Sequence, residues 1–224
     1  MTAAQSTGDP ARLAVMVSGG GRTVRNLVER TRGGELLAEV VAVGASRRCG
    51  ALDWAAAQGI PTVLGEVAVE SLASTYTVDW IVLAGYTRLL PIAPGFEERV
   101  VNIHPALLPS FGGRGMYGAR VHRAVIDAGC RLSGCTVHLC DEAYDRGPIV
   151  AQAVCAVEPE DTPDDLAARV FALERELYPA AIAALLDGFT VENGRVRLRQ
   201  PVPPMGLASS PRASHAAKLA PGAS

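Results

Sequence analysis

Short apolar runs alternate with helical segments through the first part of this 224-residue chain. Residues 13–17, 39–45 and 81–84 are mostly apolar, while residues 24–32 and 52–58 follow a helical pattern. Apolar strands separated by helices are typical of a parallel sheet that is covered on both faces. The sequence therefore predicts an α/β fold with a mostly parallel central sheet.

The second part of the chain follows a different pattern. Residues 133–139 and 149–157 indicate two strands, joined by a corner that contains Asp145. A long helix is expected over residues 163–186, because Thr162 is a good N-cap and a proline suits the first helical position. The sheet should therefore be extended by strands that are connected directly rather than through helices.

The pattern also predicts where the folded domain begins and ends. We expect a single domain over residues 12–199, closed by a hairpin whose two-residue turn is Asn193-Gly194. Residues 1–11 are polar, without an apolar signal core, and predict a flexible N-terminus and a cytoplasmic address. Residues 200–224 are rich in proline, alanine and serine without periodicity, which predicts a flexible tail.

Composition argues against several classes of protein. A net charge of −2 without a long basic run gives no reason to expect nucleic acid as a partner. No apolar stretch approaches the roughly 20 residues that span a bilayer, so no membrane partner is expected. The five cysteines form no Cys-x-x-Cys pair, and an odd number is a poor disulfide framework. We interpret Cys140, close to Asp145 in sequence, as a small buried hydrophobe.

Two segments at predicted strand ends carry residues suited to acyl-transfer chemistry. Asn102 and His104 are two apart in an extended chain, so their side chains should point the same way, and Pro105 should end the strand. An amide could stabilise a developing oxyanion and an imidazole could move a proton. Asp145, some forty residues later, could hold the imidazole charged.

A glycine loop follows the first predicted strand. Residues 18–23 read SGGGRT, so the backbone can approach a ligand closely before the next helix begins. Arg22 can fork onto a phosphate, and Thr23 can either cap the helix or donate to an oxygen. The loop is not a Walker A motif, and Val24 breaks the dinucleotide fingerprint. The alternative is a tight strand-to-helix turn that binds no ligand.

The motifs taken together resemble those of the folate-dependent formyltransferases. The resemblance extends over about residues 14–189, most of the chain. It rests chiefly on residues 102–109 (NIHPALLP), 134–138 (GCTVH) and 145–152 (DRGPIVAQ), with support from residues 83–86 (LAGY). It implies the formyltransferase fold, a Rossmann-like three-layer sandwich, and formyl transfer to or from tetrahydrofolate within one catalytic domain.

The resemblance also implies which residues are catalytic. Asn102 would donate to the oxyanion of a tetrahedral intermediate. His104, kept protonated by Asp145 with a pKa above its ordinary value, would act as proton donor. Direct transfer needs neither a covalent enzyme intermediate nor a metal. His138 is interpreted as a structural residue of a strand, and His122, on a predicted helix, carries a weaker signal still.

Substrate contacts are likewise implied by the resemblance. The ribonucleotide would be held by the glycine loop and by one acid of the long helix: Gly20, Gly21, Arg22, Thr23, Asn26 and Glu174. The loop carries about two extra residues, so either the Arg22-Thr23 pair or Asn26 takes the usual polar positions. The folate would lie against Tyr86, Thr87, Arg88, Leu89, Leu90, Asn102, Cys140 and Asp141.

The size and first loop of the chain favour one reaction within this family. The resemblance implies transfer of the formyl group of 10-formyltetrahydrofolate, a co-substrate, to the amine of 5'-phosphoribosylglycinamide in purine biosynthesis. The alternatives are a formyltetrahydrofolate hydrolase, another folate-dependent formyltransferase, and a non-catalytic phosphate-binding module. The expected partners are these small molecules, without nucleic acid or membrane, and the chain is expected to be a monomer or a homodimer.

Overall fold

The computed structural model describes residues 8–65, 69–203 and 205–206. Within those residues, strands and helices alternate along the chain as predicted. The elements are β1 (Ala11–Met16), α1 (Arg22–Arg32), β2 (Ala38–Ala45), α2 (Gly50–Ala57), β3 (Thr62–Leu64), α3 (Val69–Tyr76), β4 (Trp80–Leu83), β5 (Val100–His104), α4 (Ala119–Asp127), β6 (Leu132–Leu139), β7 (Ile149–Ala156), α5 (Pro163–Asp187), β8 (Phe189–Glu192), β9 (Arg195–Leu198) and β10 (Met205–Gly206).

An eight-stranded sheet forms the centre of the fold, in the order β10-β7-β6-β5-β4-β1-β2-β3. In the half of the sheet ordered β5-β4-β1-β2-β3, every neighbouring pair of strands is parallel, and at the other edge β10 is parallel to β7. Among the strand pairs of this sheet that the structure describes, only β5–β6 and β6–β7 are antiparallel, which agrees with the directly connected strands expected in the second part. The prediction of an α/β fold with a mostly parallel sheet is confirmed.

Both faces of the sheet are covered, because alternate residues of β1 belong to different cores. Leu13 and Val15 pack with apolar residues of α1, α2, α4 and α5, whereas Ala14 and Met16 pack with those of α3. This arrangement confirms the three-layer sandwich. Among the helices that the structure describes, none combines the length and the apolar character needed to cross a membrane.

The strand order reverses between β1 and β4, and this point organises the rest of the molecule. The chain leaves β1 through α1 towards β2 on one side, while β4 is followed by β5 on the other side. The carboxyl ends of β1 and β4 therefore frame a crevice. The loops after the two strands are in contact there, since the backbone N–H of Thr87 donates to Ser18 Oγ at 3.1 Å.

Local signals predicted the long helix and the hairpin correctly. The hydroxyl of Thr162 accepts from the backbone N–H of Asp165, whose carboxylate accepts in return from the N–H of Thr162. Such a capping box contributes about 1 kcal/mol to helix stability. Asn193 and Gly194 both have positive φ and join β8 to β9, as a two-residue hairpin turn requires.

Both predicted boundaries of the domain need correction. β1 already begins at Ala11, whose N–H donates to the carbonyl of Leu37. At the other end, Met205 pairs with Ala153 of β7, and the side chains of Val202 and Met205 pack on the core. Within the tail predicted to be flexible, Met205–Gly206 therefore forms an edge strand of the sheet and Val202 packs on the core. The flexibility predicted for residues 1–7 and 207–224 lies outside the described residues.

Candidate active site

A cavity of about 510 Å³ opens at the carboxyl ends of β1, β4 and β5. Open α/β folds bind ligands where the strand order reverses, which is where this cavity lies. Ten residues predicted from the sequence line it: Gly20, Gly21, Arg22, Thr23, Tyr86, Thr87, Asn102, His104, Asp145 and Glu174. The fold thus brings most of the predicted site together from distant segments of the chain.

The glycine loop after β1 forms one wall of the cavity. Gly21 has a φ of 83°, a left-handed conformation that favours glycine, and a Cβ there would lie 2.7 Å from the Cβ of Ala51. α1 begins at the next residue, so the first turn of this helix borders the cavity through Arg22 and Thr23. The unpaired N–H groups and the dipole of a helix N-terminus attract anions.

Charged side chains complete this wall. The guanidinium of Arg22 stacks on Phe171 of α5, with Cζ 4.1 Å from the ring centroid. Glu174 lies three residues further along the same helix and also lines the cavity. Burial raises the pKa of Glu174 to about 7, although the positive charge of Arg22 opposes the shift. This carboxyl therefore changes its charge near neutral pH.

Asn26, the alternative polar position of the loop, does not line the cavity. Its side chain is buried against α5, where Nδ2 donates to the carbonyl oxygen of Arg175 at 2.9 Å. That carbonyl lacks its usual helical partner, because Pro179, four residues later, has no N–H. Asn26 supplies the missing donor. The structure therefore places Arg22 and Thr23, but not Asn26, on the cavity wall.

β5 supplies Asn102 and His104 on a second wall. The two side chains lie on the same side of the strand, while Ile103 between them packs into the core. β5 ends at His104, immediately before Pro105, as predicted. In the antiparallel register with β6, Asn102 lies opposite His138. The sheet itself therefore fixes which side chains surround the amide.

Asp145 reaches this wall from the corner between β6 and β7. A Cβ on Gly147 would lie 1.9 Å from the carbonyl oxygen of Leu139, so the corner approaches β6 as closely as only glycine permits. Asp145 itself has a φ of 56°. One carboxylate oxygen accepts from the N–H of Gly113 at 2.8 Å and lies 3.5 Å from Nδ1 of His104. The predicted acid and imidazole are thus neighbours.

The protonation predicted for His104 is wrong for this structure. Burial lowers its pKa below the ordinary value, and the carboxylate of Asp145 only partly opposes the shift. The imidazole is 3% exposed, so a positive charge loses more hydration than a partner at 3.5 Å restores. Nε2 must carry a proton, because it faces the carbonyl oxygen of Phe111 at 2.9 Å. A second proton would therefore bind at Nδ1, beside Asp145.

His138, interpreted from the sequence as a structural residue, lies in the same cluster. Its Nδ1 faces the carbonyl oxygen of Leu139 at 2.9 Å and must donate there, which leaves Nε2 of the neutral ring as an acceptor. The Nδ2 group of Asn102 lies 3.0 Å from that Nε2. Nε2 also lies 3.6 Å from Asp145 Oδ1, so one carboxylate faces two imidazoles.

The pKa of Asp145 is set by burial, by hydrogen bonds and by nearby positive charges. Burial by itself raises the pKa of this carboxyl, but the close approach of His138, the positive charge of a protonated His104 and the N–H of Gly113 together bring the pKa below its ordinary value. The acid is therefore ionised at neutral pH. It is the negative charge that opposes the effect of burial on the pKa of His104.

His122 is a second residue whose position the sequence did not predict. It lies on α4, is buried, and lines the cavity, while its Nδ1 has no hydrogen-bond partner among the described residues. Burial lowers its pKa, and the charges of His104 and Arg22 lower it further. The helical pattern around residue 122 could have indicated which face is inside, but not that this face borders the cavity.

The residues predicted to hold folate divide into two groups. Tyr86 and Thr87, with Asn102, line the cavity. The remaining five, Arg88, Leu89, Leu90, Cys140 and Asp141, do not line it. The hydroxyl of Tyr144, which does line the cavity, accepts from the N–H of Leu89 at 2.8 Å and so joins the two segments beside it.

Two of those five residues are held by the protein itself. Leu90 is buried in the smaller core, and a carboxylate oxygen of Asp141 accepts from the N–H of Ala143. Burial raises the pKa of the Cys140 thiol well above its ordinary value, so this thiol is a poor nucleophile.

Across the described ranges, no group of three or more histidine, cysteine or acidic side chains could hold a metal ion.

Comparison with known proteins identifies the family of this chain. The sequence model of the formyl transferase family matches residues 11–182. Two relatives are named phosphoribosylglycinamide formyltransferase: a chloroplastic protein of Arabidopsis thaliana, 39% identical over 81% of this chain and 68% of its own length, and a protein of Mycobacterium tuberculosis, 37% identical over 81% and 88%. The chain spans about two thirds of the length of the plant relatives.

One solved structure is similar to this chain over most of the length of both proteins. Glycinamide ribonucleotide transformylase 1 from Symbiobacterium toebii has a TM-score of 0.77 and is 31% identical, covering 86% of this chain and 95% of its own. The fold and the cavity define an α/β enzyme with a cleft at the reversal of strand order. The chain belongs to the formyl transferase family.

We expect Asn26→Ala to lower the stability of the protein without weakening phosphate binding. It removes the donor that satisfies the Arg175 carbonyl and leaves that group unpaired, which costs about 1–3 kcal/mol in the free energy of unfolding. Urea denaturation measures this loss, and phosphate titration measures ligand binding. Thr23→Ala, on the cavity side of the same helix, is the matched control and should weaken phosphate binding instead. Weakened phosphate binding by Asn26→Ala in a stable protein would support the register in which Asn26 contacts the ligand.

His104 should titrate below 6.5, the ordinary value for histidine, because burial of its charged form outweighs the attraction of Asp145. In Asp145→Asn the midpoint should move lower still, since the charge that raises it is removed. Histidine ring signals followed by NMR against pH measure both midpoints. A midpoint above 6.5, or one that Asp145→Asn leaves in place, contradicts the electrostatic argument.

Proposed function

We propose that this enzyme transfers the formyl group of 10-formyltetrahydrofolate to the amine of 5'-phosphoribosylglycinamide. The observation that carries the proposal is a single cavity that joins an anion-attracting glycine loop to the Asn102, His104 and Asp145 cluster. Membership of the formyl transferase family supports the donor. The printed names of the relatives, phosphoribosylglycinamide formyltransferase, support the acceptor.

The glycine-loop wall suits a phosphorylated ribose. Backbone N–H groups near Gly20 and Gly21, the Arg22 guanidinium and the Thr23 hydroxyl can donate to phosphate oxygens. The Glu174 carboxylate, when ionised, can accept hydrogen bonds from the ribose hydroxyls. With the phosphate at this end, the amine of the acceptor extends along the cavity towards Asn102 and His104.

The proposed reaction conserves both charge and protons. The neutral amine attacks the formyl carbon, a carbon–nitrogen bond forms, and the carbonyl oxygen becomes an oxyanion. The attacking nitrogen is then positive and must lose a proton, while N10 of the folate must gain one. The bond between the formyl carbon and N10 breaks with its electron pair on N10. The products are the formylated amide and tetrahydrofolate.

Asn102 is suited to stabilise the oxyanion. One N–H of its side-chain amide is directed at Nε2 of His138, which fixes the orientation of the amide. The second N–H is available to the oxyanion. Because this donor is oriented before the reaction and lies beside a buried histidine, its stabilisation of the developing charge requires little reorganisation.

His104 is suited to move the proton from the attacking nitrogen to N10. Its lowered pKa leaves it neutral at pH 7, so Nδ1 can accept the proton that the amine must lose. The ionised Asp145, 3.5 Å from Nδ1, then stabilises the imidazolium until the proton passes to N10. These charge changes are met by side chains of the chain itself, and direct transfer needs no metal.

Tyr86 and Thr87 border the region in which the folate ring would lie. We keep five further residues in the proposed folate site, although they do not line the cavity: Arg88, Leu89, Leu90, Cys140 and Asp141. To reach them, the bound folate would have to extend beyond Tyr144. The monomeric or dimeric state and the cytoplasmic address are likewise predictions, and the plant relatives are named as chloroplastic. Partners other than the two small molecules are not proposed.

A competition assay tests the proposed acceptor. The protein should form formylated product from 10-formyltetrahydrofolate and 5'-phosphoribosylglycinamide at a much higher rate than it releases formate to water or formylates methionyl-tRNA. The reason is that only the ribonucleotide is a small molecule whose terminal phosphate can occupy the glycine loop while its amine lies beside Asn102 and His104. Product formation is followed by chromatography with all acceptors present. Faster release of formate than of formylated amide supports the hydrolase alternative and overturns the proposal.

His104→Ala and Asp145→Asn should each lower kcat by about two orders of magnitude or more, since each removes a group needed for proton transfer. Their combination should cost little more than the larger single effect, because the two groups act as one unit. Glu142→Gln, an exposed acid of the same corner, is the matched control and should keep the wild-type rate. Near wild-type turnover by either variant excludes the assigned roles.

A further inference from the structure

We propose that Phe171 is a positioning residue, which holds the Arg22 guanidinium in place for the phosphate of the acceptor. The inference rests on the proposed function, because it concerns how the acceptor's phosphate is recognised. It adds a residue for which neither the sequence motifs nor the resemblance implied a role. The observation behind it is the stack of Arg22 on the ring of Phe171 at the edge of the cavity.

The geometry of the stack leaves the guanidinium able to bind an anion. Cζ of Arg22 lies 4.1 Å from the ring centroid, within the range of about 6 Å over which a cation is attracted to an aromatic face. The stack uses the flat face of the guanidinium, whereas its N–H donors lie in the plane. Arg22 can therefore be held by Phe171 and still donate to two phosphate oxygens.

No other group of the described chain holds Arg22. The guanidinium is exposed and forms neither an ion pair nor a hydrogen bond with the residues that the structure describes. The nearest acid of the cavity wall is Glu174, which shares a face of α5 with Phe171 but does not pair with Arg22. The aromatic ring is thus the contact that determines where this positive charge is kept.

Such a contact lowers the cost of binding phosphate. A free arginine side chain loses much of its rotational freedom when it is fixed onto a ligand, and this loss weakens binding. A guanidinium that is already stacked has less freedom to lose. Arg22 and Glu174 form no ion pair in the part of the chain that the structure describes, so the guanidinium donors remain available for the phosphate and the carboxylate oxygens for the ribose.

A second stack on the same helix provides an internal control. Arg25 lies over Trp54 with Cζ 5.3 Å from the ring centroid, and neither residue lines the cavity. Replacing Trp54 removes a comparable arginine–aromatic contact and comparable apolar surface, but at a distance from the proposed phosphate. Any general effect of losing such a stack from α1 will therefore appear in Trp54→Leu as well.

The test uses the full chain and two independent readouts. Phe171→Leu removes the ring at similar volume, Phe171→Tyr keeps it, and Arg22→Gln removes the charge. The KM for the ribonucleotide, the KM for the folate and kcat are measured for each variant, and binding of inorganic phosphate to the free protein is followed by NMR titration. Thermal unfolding identifies any variant that fails to fold, in which case Phe171→Met replaces Phe171→Leu.

Phe171→Leu should raise the ribonucleotide KM by about fivefold and weaken phosphate binding similarly, with kcat and the folate KM unchanged. Arg22→Gln should raise that KM by about tenfold, and Phe171→Leu should add nothing further in its presence, because Phe171 acts through Arg22. Phe171→Tyr, which keeps the ring, should leave all of these values at the wild-type level, and so should Trp54→Leu.

Two results separate this inference from the proposed function. If Arg22→Gln weakens phosphate and ribonucleotide binding but Phe171→Leu behaves like Trp54→Leu, the role of Phe171 is overturned and the proposed function stands. If wild-type protein transfers no formyl group, yet phosphate binding depends on both Arg22 and Phe171, the proposed function fails and the positioning role stands. Additive effects of the two substitutions also overturn the role of Phe171.

Discussion

The carboxylate of Asp145 is the interaction on which the catalytic side of the cavity depends. It faces Nδ1 of His104 at 3.5 Å and Nε2 of His138 at 3.6 Å, and it accepts from the N–H of Gly113. Without this negative charge, the pKa of the buried His104 would fall further below its ordinary value. The close approach of Gly147 to Leu139 is what allows the corner to deliver the acid there.

The remainder of the site follows from the order of the strands. Because the order reverses between β1 and β4, a loop that attracts anions and a strand that carries an amide and an imidazole face one crevice. The antiparallel β6 then sets His138 opposite Asn102. Binding and chemistry are therefore placed by the sheet, while α5 adds Phe171 and Glu174 from one helical face.

The amino-acid sequence by itself determined the features that arise from neighbouring residues. Apolar runs between helical segments are enough to specify a covered parallel sheet, and the capping box at Thr162 and the Asn193-Gly194 turn are formed within a few residues. The alternation of a strand likewise places Asn102 and His104 on the same side. The segments that carry the motifs could be found from the sequence because each is a local pattern.

Only the tertiary structure decided what depends on contacts between distant segments. Asn26 turns away from the cavity because Pro179, on another helix, leaves the Arg175 carbonyl without a donor. His138 joins the cluster through the pairing of β6 with β5, and Met205 is ordered by pairing with β7. The pKa of His104 falls because burial outweighs a nearby carboxylate, and burial is a property of the whole fold rather than of any motif.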